Sequence, residues 1–203
     1  MDWGSIGARI RKQREYPLIE ERSLKNNGKK NVFLYGGPLN TGRTTDRFFE
    51  LIKSLDTEKY NYTLIYKMEE VIYRQKKLQR LPEGMNYLGF YEAFSLEEKQ
   101  KEQYIAWRKS RTAPSEKQKE LIRHLVDNEK QRLFTDCRID YVLDFSGSND
   151  ETMLILAAYP MSRLKMPNMS KTINRQLKGV LDTERIEVET AEQVELLLEQ
   201  KLK

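Results

Sequence analysis

One cysteine and one histidine among 203 residues exclude several common chemistries at the outset. Cys137 has no second thiol with which to form an internal disulfide or a cysteine-based metal cluster, and His124 alone cannot build a histidine-rich zinc site. No metal site is expected, and Cys137 reads as an inert, partly buried thiol. A Ser-His-Asp triad would have to use His124. That residue lies in "ELIRHLVDNEK", beside an apolar helical face, and is either a general base or an ordinary helix-flank histidine. Also missing is any run of about 18 apolar residues. The opening "MDWGSIGARIRKQREY" lacks the apolar core of a secretory signal, so a cytoplasmic protein without a bilayer span is expected. There is no zinc-finger spacing, no aromatic-basic motif of an RNA-binding sheet, no internal repeat and no low-complexity tract. The net charge of +5 and pI of about 9.1 attract phosphates, nucleic acid or anionic lipid without selecting among them. No nucleic-acid partner is expected.

What is present describes a globular chain. Hydrophobic residues make up 38% and charged residues 33%, with 11 Tyr and 7 Phe available for an interior. Residues 1–30 are basic and poor in apolar content and end in "KNNGKK", which reads as an arm or linker before one domain over 31–203. Trp3, Ile6 and Ile10 share one face of a short helix ringed by Arg9, Arg11, Lys12 and Arg14. That outline fits either a peripheral contact with the inner face of the plasma membrane or a solvated tail.

From Val32 onward, short apolar runs alternate with helical segments. "VFLY" (32–35) is continuous and apolar, as a strand buried on both faces should be. A helix capped by Thr44 or Asp46 follows to about Leu55, with Phe48, Phe49, Ile52 and Leu55 at helical spacing. "YNYTLIY" (60–66) and "MNYLGF" (85–90) read as strands, separated by a helix at 68–81 that Pro82 stops. Two amphipathic helices, 95–109 and 115–134, break near Ala113-Pro114. Their apolar positions include Tyr104, Ile105, Trp107, Leu121, Ile122, Leu125, Val126 and Leu133. The charge runs "RQKKLQR" and "EEKQKEQ" are solvated helix faces. "IDYVLDF" (139–145) is a further clear strand, followed by the turn "SGSND" and the apolar helix "ETMLILAAY". "SRLKM" and "RIEV" read as fifth and sixth strands before a final helix, "TAEQVELLLEQKL". Alternation of this kind predicts a doubly wound α/β fold: a mostly parallel sheet, joined by right-handed crossovers, with helices on both faces.

The stretch "NVFLYGGPLNTGRTTDRFFELI" (31–52) carries the main chemical question. Ligands of open parallel sheets bind beyond the carboxyl ends of the strands. Glycines in such a loop let backbone approach a phosphate, the helix N-terminus adds unpaired N–H groups, and Arg43 offers a bidentate clamp. A Gly-Gly-Pro after a strand is equally what a tight turn needs for geometry alone. "GPLNTGRT" (Gly37 to Thr44) is one residue from the phosphate-loop pattern GxxxxGK[ST], with Arg43 where lysine belongs. "YVLD" would then supply Asp144 as a magnesium partner of a kinase or NTPase. Arginine is larger and planar and does not replace that lysine. Asp144, closing a buried strand, serves either as base or metal partner, or as a cap for the next turn through the Ser146 or Gly147 N–H groups.

Three segments, "FLYGGPLNTGRTTDRFFELIKSLDTEKYNYTLIY", "LPEGMNYLG" and "IDYVLDFSGSNDETMLILAA", together resemble the amino-terminal half of GT-B-type transferases. The nearest likeness is to the CDP-glycerol glycerophosphotransferase-like group of teichoic acid and capsule synthesis. The resemblance covers about residues 30 to 160 and rests on the order and spacing of its motifs. It implies a bacterial cell-envelope transferase of two Rossmann-like domains, with a nucleotide-activated donor (CDP-glycerol or a UDP-sugar) held mainly by the second. A polyol-phosphate or glycan acceptor would be approached by the first. Carried over are Gly36, Gly37, Asn40, Gly42 and Thr44 in the first loop, to which Thr41 and Arg43 are contiguous, and Ser146 and Gly147 in the second. Arg43 and Ser148 depart from the family pattern, as does "LKMPNMS" (164–170), and no donor motif with histidine follows. The resemblance therefore implies a chain that needs a donor-binding second domain or a partner transferase, binds no cofactor tightly, and is incomplete as a catalyst alone. A non-catalytic module that docks on a partner or an anionic membrane is the alternative.

Overall fold

In a computed structural model of the protein, the described residues are 27–37, 42–67, 81–90, 97–110, 112–134, 138–147, 151–167 and 185–203. The expected helix at 68–81 falls outside them except for Leu81. So do residues 1–26 of the basic arm, Asn40, Thr41, Cys137 and Ser148, and residues 168–170 of the "LKMPNMS" segment.

Strands β1 (Lys30–Tyr35), β2 (Tyr60–Lys67), β3 (Asn86–Phe90), β4 (Tyr141–Asp144), β5 (Met161–Lys165) and β6 (Arg185–Glu187) form one sheet in the order β3-β2-β1-β4-β5-β6. Every pair is parallel. The helices are α1 (Arg43–Lys53), α2 (Glu98–Ser110), α3 (Glu116–Phe134), α4 (Glu151–Leu156) and α5 (Ala191–Lys201). This is the Rossmann-like α/β architecture, with β1 central.

Side-chain alternation along β1 explains the two layers of helices. Val32 and Leu34 turn to one face, where they join Phe48, Phe49 and Ile52 of α1 and Val194, Leu197 and Leu198 of α5. Phe33 and Tyr35 turn to the other and pack with Phe134 of α3 and Met153, Ile155 and Leu156 of α4. The apolar faces of α2 and α3 meet each other and α4 through Tyr104, Trp107, Ile122, Leu125 and Leu154. Full burial of each large side chain contributes about 1.5–3 kcal/mol, which is why a strand apolar on both faces settles at the centre.

Three expectations are corrected. The first helix is not capped by Thr44 or Asp46: both lie inside α1, and Gly42 occupies the cap position without a side-chain hydrogen bond. Ile105 does not join the core. It is 40% exposed, because a helical step of about 100° from buried Tyr104 carries it away from α3. β1 starts at Lys30, ahead of the apolar run, because Lys30 and Asn31 pair with Tyr60 and Asn61 of β2; the Asn31 N–H also donates to Asp140 Oδ2 at 2.8 Å and the Asp140 N–H returns to the Asn31 carbonyl at 3.0 Å. The final helix begins as its sequence suggests, with Thr190 and Gln193 forming a reciprocal capping box.

Candidate functional site

The strand order reverses beside β1, so the chain leaving β1 turns to one face of the sheet and the chain leaving β4 to the other. The two exits open a crevice at the carboxyl edge, the place where doubly wound sheets accept ligands. Gly36 and Gly37 form the exit from β1; Phe145, Ser146 and Gly147 form the exit from β4. The Phe145 N–H donates to the Tyr35 carbonyl at 2.7 Å, which carries the strand pairing into the loops.

Gly37 stands where the loops touch. Its φ is 71°, in the left-handed region, and a Cβ there would lie 2.7 Å from Ser146 Cβ. Gly36 has a different reason to lack a side chain: a Cβ would lie 2.5 Å from the ring of Phe48. The first loop of the sequence reading is therefore a close-packed corner at Gly36 and Gly37. It opens to solvent again at Gly42, Arg43 and Thr44, all exposed at the start of α1.

Asp144 ends β4 with only 1% of its surface exposed. Its Oδ1 accepts from the Ser146 N–H at 2.8 Å and from the Ser146 hydroxyl, the capping arrangement that the sequence left open. Its Oδ2 accepts from Arg163 Nε at 2.9 Å. Burial pushes the Asp144 carboxyl above its usual range, opposed by Ser146 and by the Arg163 charge. With each oxygen already engaged, Asp144 holds the β4 loop in place, and a magnesium ligand would have to displace one of these partners.

Three arginines that the sequence reading did not single out complete the rim. Arg163 projects from β5 directly opposite Asp144. Arg185, at the start of β6, donates to the Gly147 carbonyl at 3.0 Å. Its guanidinium pKa is lowered, first by burial and then by the neighbouring charge of Arg163. Arg47 of α1 donates to the Pro167 carbonyl at 3.0 Å and so joins the α1 side of the crevice to the exit of β5. A charged residue inside "MSRLK", a strand whose middle is buried, was the available signal for Arg163.

Arg43 differs from these three: among the described residues it makes no hydrogen bond or ion pair. His124 stands exposed on α3, and none of the hydrogen bonds described around Asp144 involves it. Among the described residues no helix is long and apolar enough to cross a membrane.

No protein-family model matches the chain, and no curated protein matches it.

Proposed function

We propose that the crevice between the β1 and β4 loops binds a phosphate-bearing ligand. On the likeness of residues 30 to 160 to GT-B-type transferases, we read the chain as the acceptor-side part of a glycosyl or glycerophosphate transferase of cell-envelope polymer synthesis. The observation that carries the reading is Arg43. A cation in the first turn of a helix opposes the macrodipole, and here it has neither a side-chain cap beside it nor, among the described residues, a carboxylate partner. An anion at this place would satisfy the uncapped N–H groups and the guanidinium together. Arg185, whose charge is disfavoured by burial and by Arg163, adds to the same local demand for negative charge.

In this reading the ligand is a polyol phosphate or glycan acceptor. The nucleotide-activated donor, CDP-glycerol or a UDP-sugar, is held mainly by a second domain or a partner transferase. Loop amides and Arg43 stabilise phosphate charge as an acceptor hydroxyl attacks the donor; the new bond forms as the bond to the nucleotide leaving group (CMP or UDP) breaks, and the hydroxyl proton is lost to water. The kinase or NTPase alternative loses support from Asp144, both of whose oxygens are committed within the protein.

Calorimetric titration of the chain with glycerol phosphate, CDP-glycerol, UDP-glucose and Mg-ATP tests this. Glycerol phosphate should bind, with affinity about tenfold weaker in Arg43→Ala, a loss of the size that one charge-assisted contact supplies. Binding of Mg-ATP alone would transfer the site to the kinase reading. A folded chain that takes up none of the four would end the proposal.

A further inference from the structure

At the opposite end of the sheet, the amino edges of β1, β2 and β3 border a second concavity of about 460 Å³, inside the size range of small-molecule sites. Its lining differs from a usual pocket, for the described residues that form it are all polar, charged or glycine. Asn27, Lys29, Thr57, Asn61, Gly84 and Asn86 line it together with two carboxylates, Glu58 and Glu83.

The walls are fixed by hydrogen bonds. Asn27 and Asn61 exchange carboxamide hydrogen bonds in both directions at 3.0 Å, and Asn61 Nδ2 also donates to Asn31 Oδ1 at 3.0 Å. Lys29 Nζ donates to the Thr57 carbonyl at 3.1 Å and lies 3.4 Å from the Glu58 carboxylate, so the ammonium that the described residues bring to the cleft is already compensated. A Cβ on Gly84 would reach 3.1 Å from Thr57 Oγ1, and the glycine keeps this rim open.

Asn86 stands apart from this network. It is only 9% exposed, yet among the described residues its carboxamide takes no hydrogen-bond partner. Its register neighbour on β2, Thr63, is fully buried and also leaves its hydroxyl without a partner. Unlike the Thr63 hydroxyl, the Asn86 carboxamide is not sealed from solvent, so its donor and acceptor stay available to a ligand that enters the cleft. A free carboxamide at the border of a pre-formed polar cleft is an arrangement that a ligand would complete.

We propose that this cleft is a binding site for a neutral, hydroxyl-rich ligand, a polyol or sugar, recognised by Asn86. A carboxamide both donates and accepts, and so pairs with hydroxyl groups in either sense. The mostly polar lining disfavours lipids and aromatic rings, and the carboxylates of Glu58 and Glu83 beside Lys29 disfavour anions. The site is separate from the β1 and β4 loops and does not rest on the transferase reading.

The test is nuclear magnetic resonance of the isotopically labelled full chain, following the carboxamide signals of Asn27, Asn61 and Asn86. Glycerol, ribitol, glucose and N-acetylglucosamine are titrated separately into the millimolar range. At least one should move the Asn86 signal saturably. Inorganic phosphate, whose place is the other end of the sheet, should leave it unmoved. Asn86→Leu, close in size, should weaken sugar binding, read at Asn61, by about tenfold or more. Asn86→Ala provides the same binding test should the leucine variant fail to fold. Absence of a saturable shift with all four compounds, or binding unchanged in the folded variant, overturns the proposal.

Discussion

Arg163 and Asp144 face each other in register across β5 and β4, Nε to Oδ2 at 2.9 Å, with side-chain exposures of 6% and 1%. The pair is almost wholly removed from water, and the remaining carboxylate oxygen is held by Ser146. A buried pair of this kind is costly to break from one side, because the surviving charge stays buried without its partner.

Replacement of one member should show that cost. Arg163→Met should lower the unfolding free energy by about 3–5 kcal/mol, measured by urea denaturation. Adding Asp144→Leu to the same chain should restore most of it, since an apolar pair of similar volume no longer carries an uncompensated charge. A single variant as stable as the parent would show that the pair does not hold β4 and β5 together.

The same carboxyl predicts a dependence on pH. Because burial outweighs its hydrogen bonds and raises its pKa above the ordinary value of 3.8, the folded chain keeps this proton to higher pH than the unfolded chain does. The resulting contribution to stability is complete below that ordinary value and is lost as pH rises through the folded-state pKa. The stability of the parent relative to Asp144→Asn should therefore fall with rising pH above about 4, by at most about 1.4 kcal/mol per pH unit. Urea midpoints of both chains, taken from acidic to neutral pH, decide it. A difference that grows with pH would mean that Arg163 and Ser146 prevail over burial.

Gly37→Ala should be destabilising by about 1–3 kcal/mol. The φ of 71° is unfavourable to alanine, and the new methyl carbon would meet Ser146 Cβ at 2.7 Å. The two loops would have to part, so binding of glycerol phosphate should weaken along with stability. Equal denaturation midpoints for the two chains would contradict the contact.

The parts of the fold that were legible are those decided by local pattern. Val32 to Tyr35 and Tyr141 to Leu143 are uninterrupted apolar runs, and such runs have few places to go except the centre of a parallel sheet. Phe48, Phe49 and Ile52 repeat at helical spacing and bury as the spacing requires. The start of α1 was missed because Gly42 caps by position alone, whereas the reading sought a hydroxyl or carboxylate. The partner of Asp144 was missed for another reason. Arg163 is 19 residues away in the chain, and only strand register brings the two together. The carboxamide network around Asn61 was not legible either: the strand at 60–66 contains Asn61, but only its register beside Asn31 brings the two carboxamides together.

The central position of β1 also bears on how the protein comes into being. One edge of β1 is completed by β2 within the same stretch of chain, but the other is completed by β4, and the bond from the Asn31 N–H to Asp140 spans 109 positions. During synthesis this inner strand must wait with an open edge while β2, β3, α2 and α3 emerge. Closure over so long a separation slows folding and leaves a strand template accessible to other chains. The crevice that is its best candidate for a ligand site does not exist during that interval, since its second wall, Ser146 and Gly147, arrives with the strand that closes the edge.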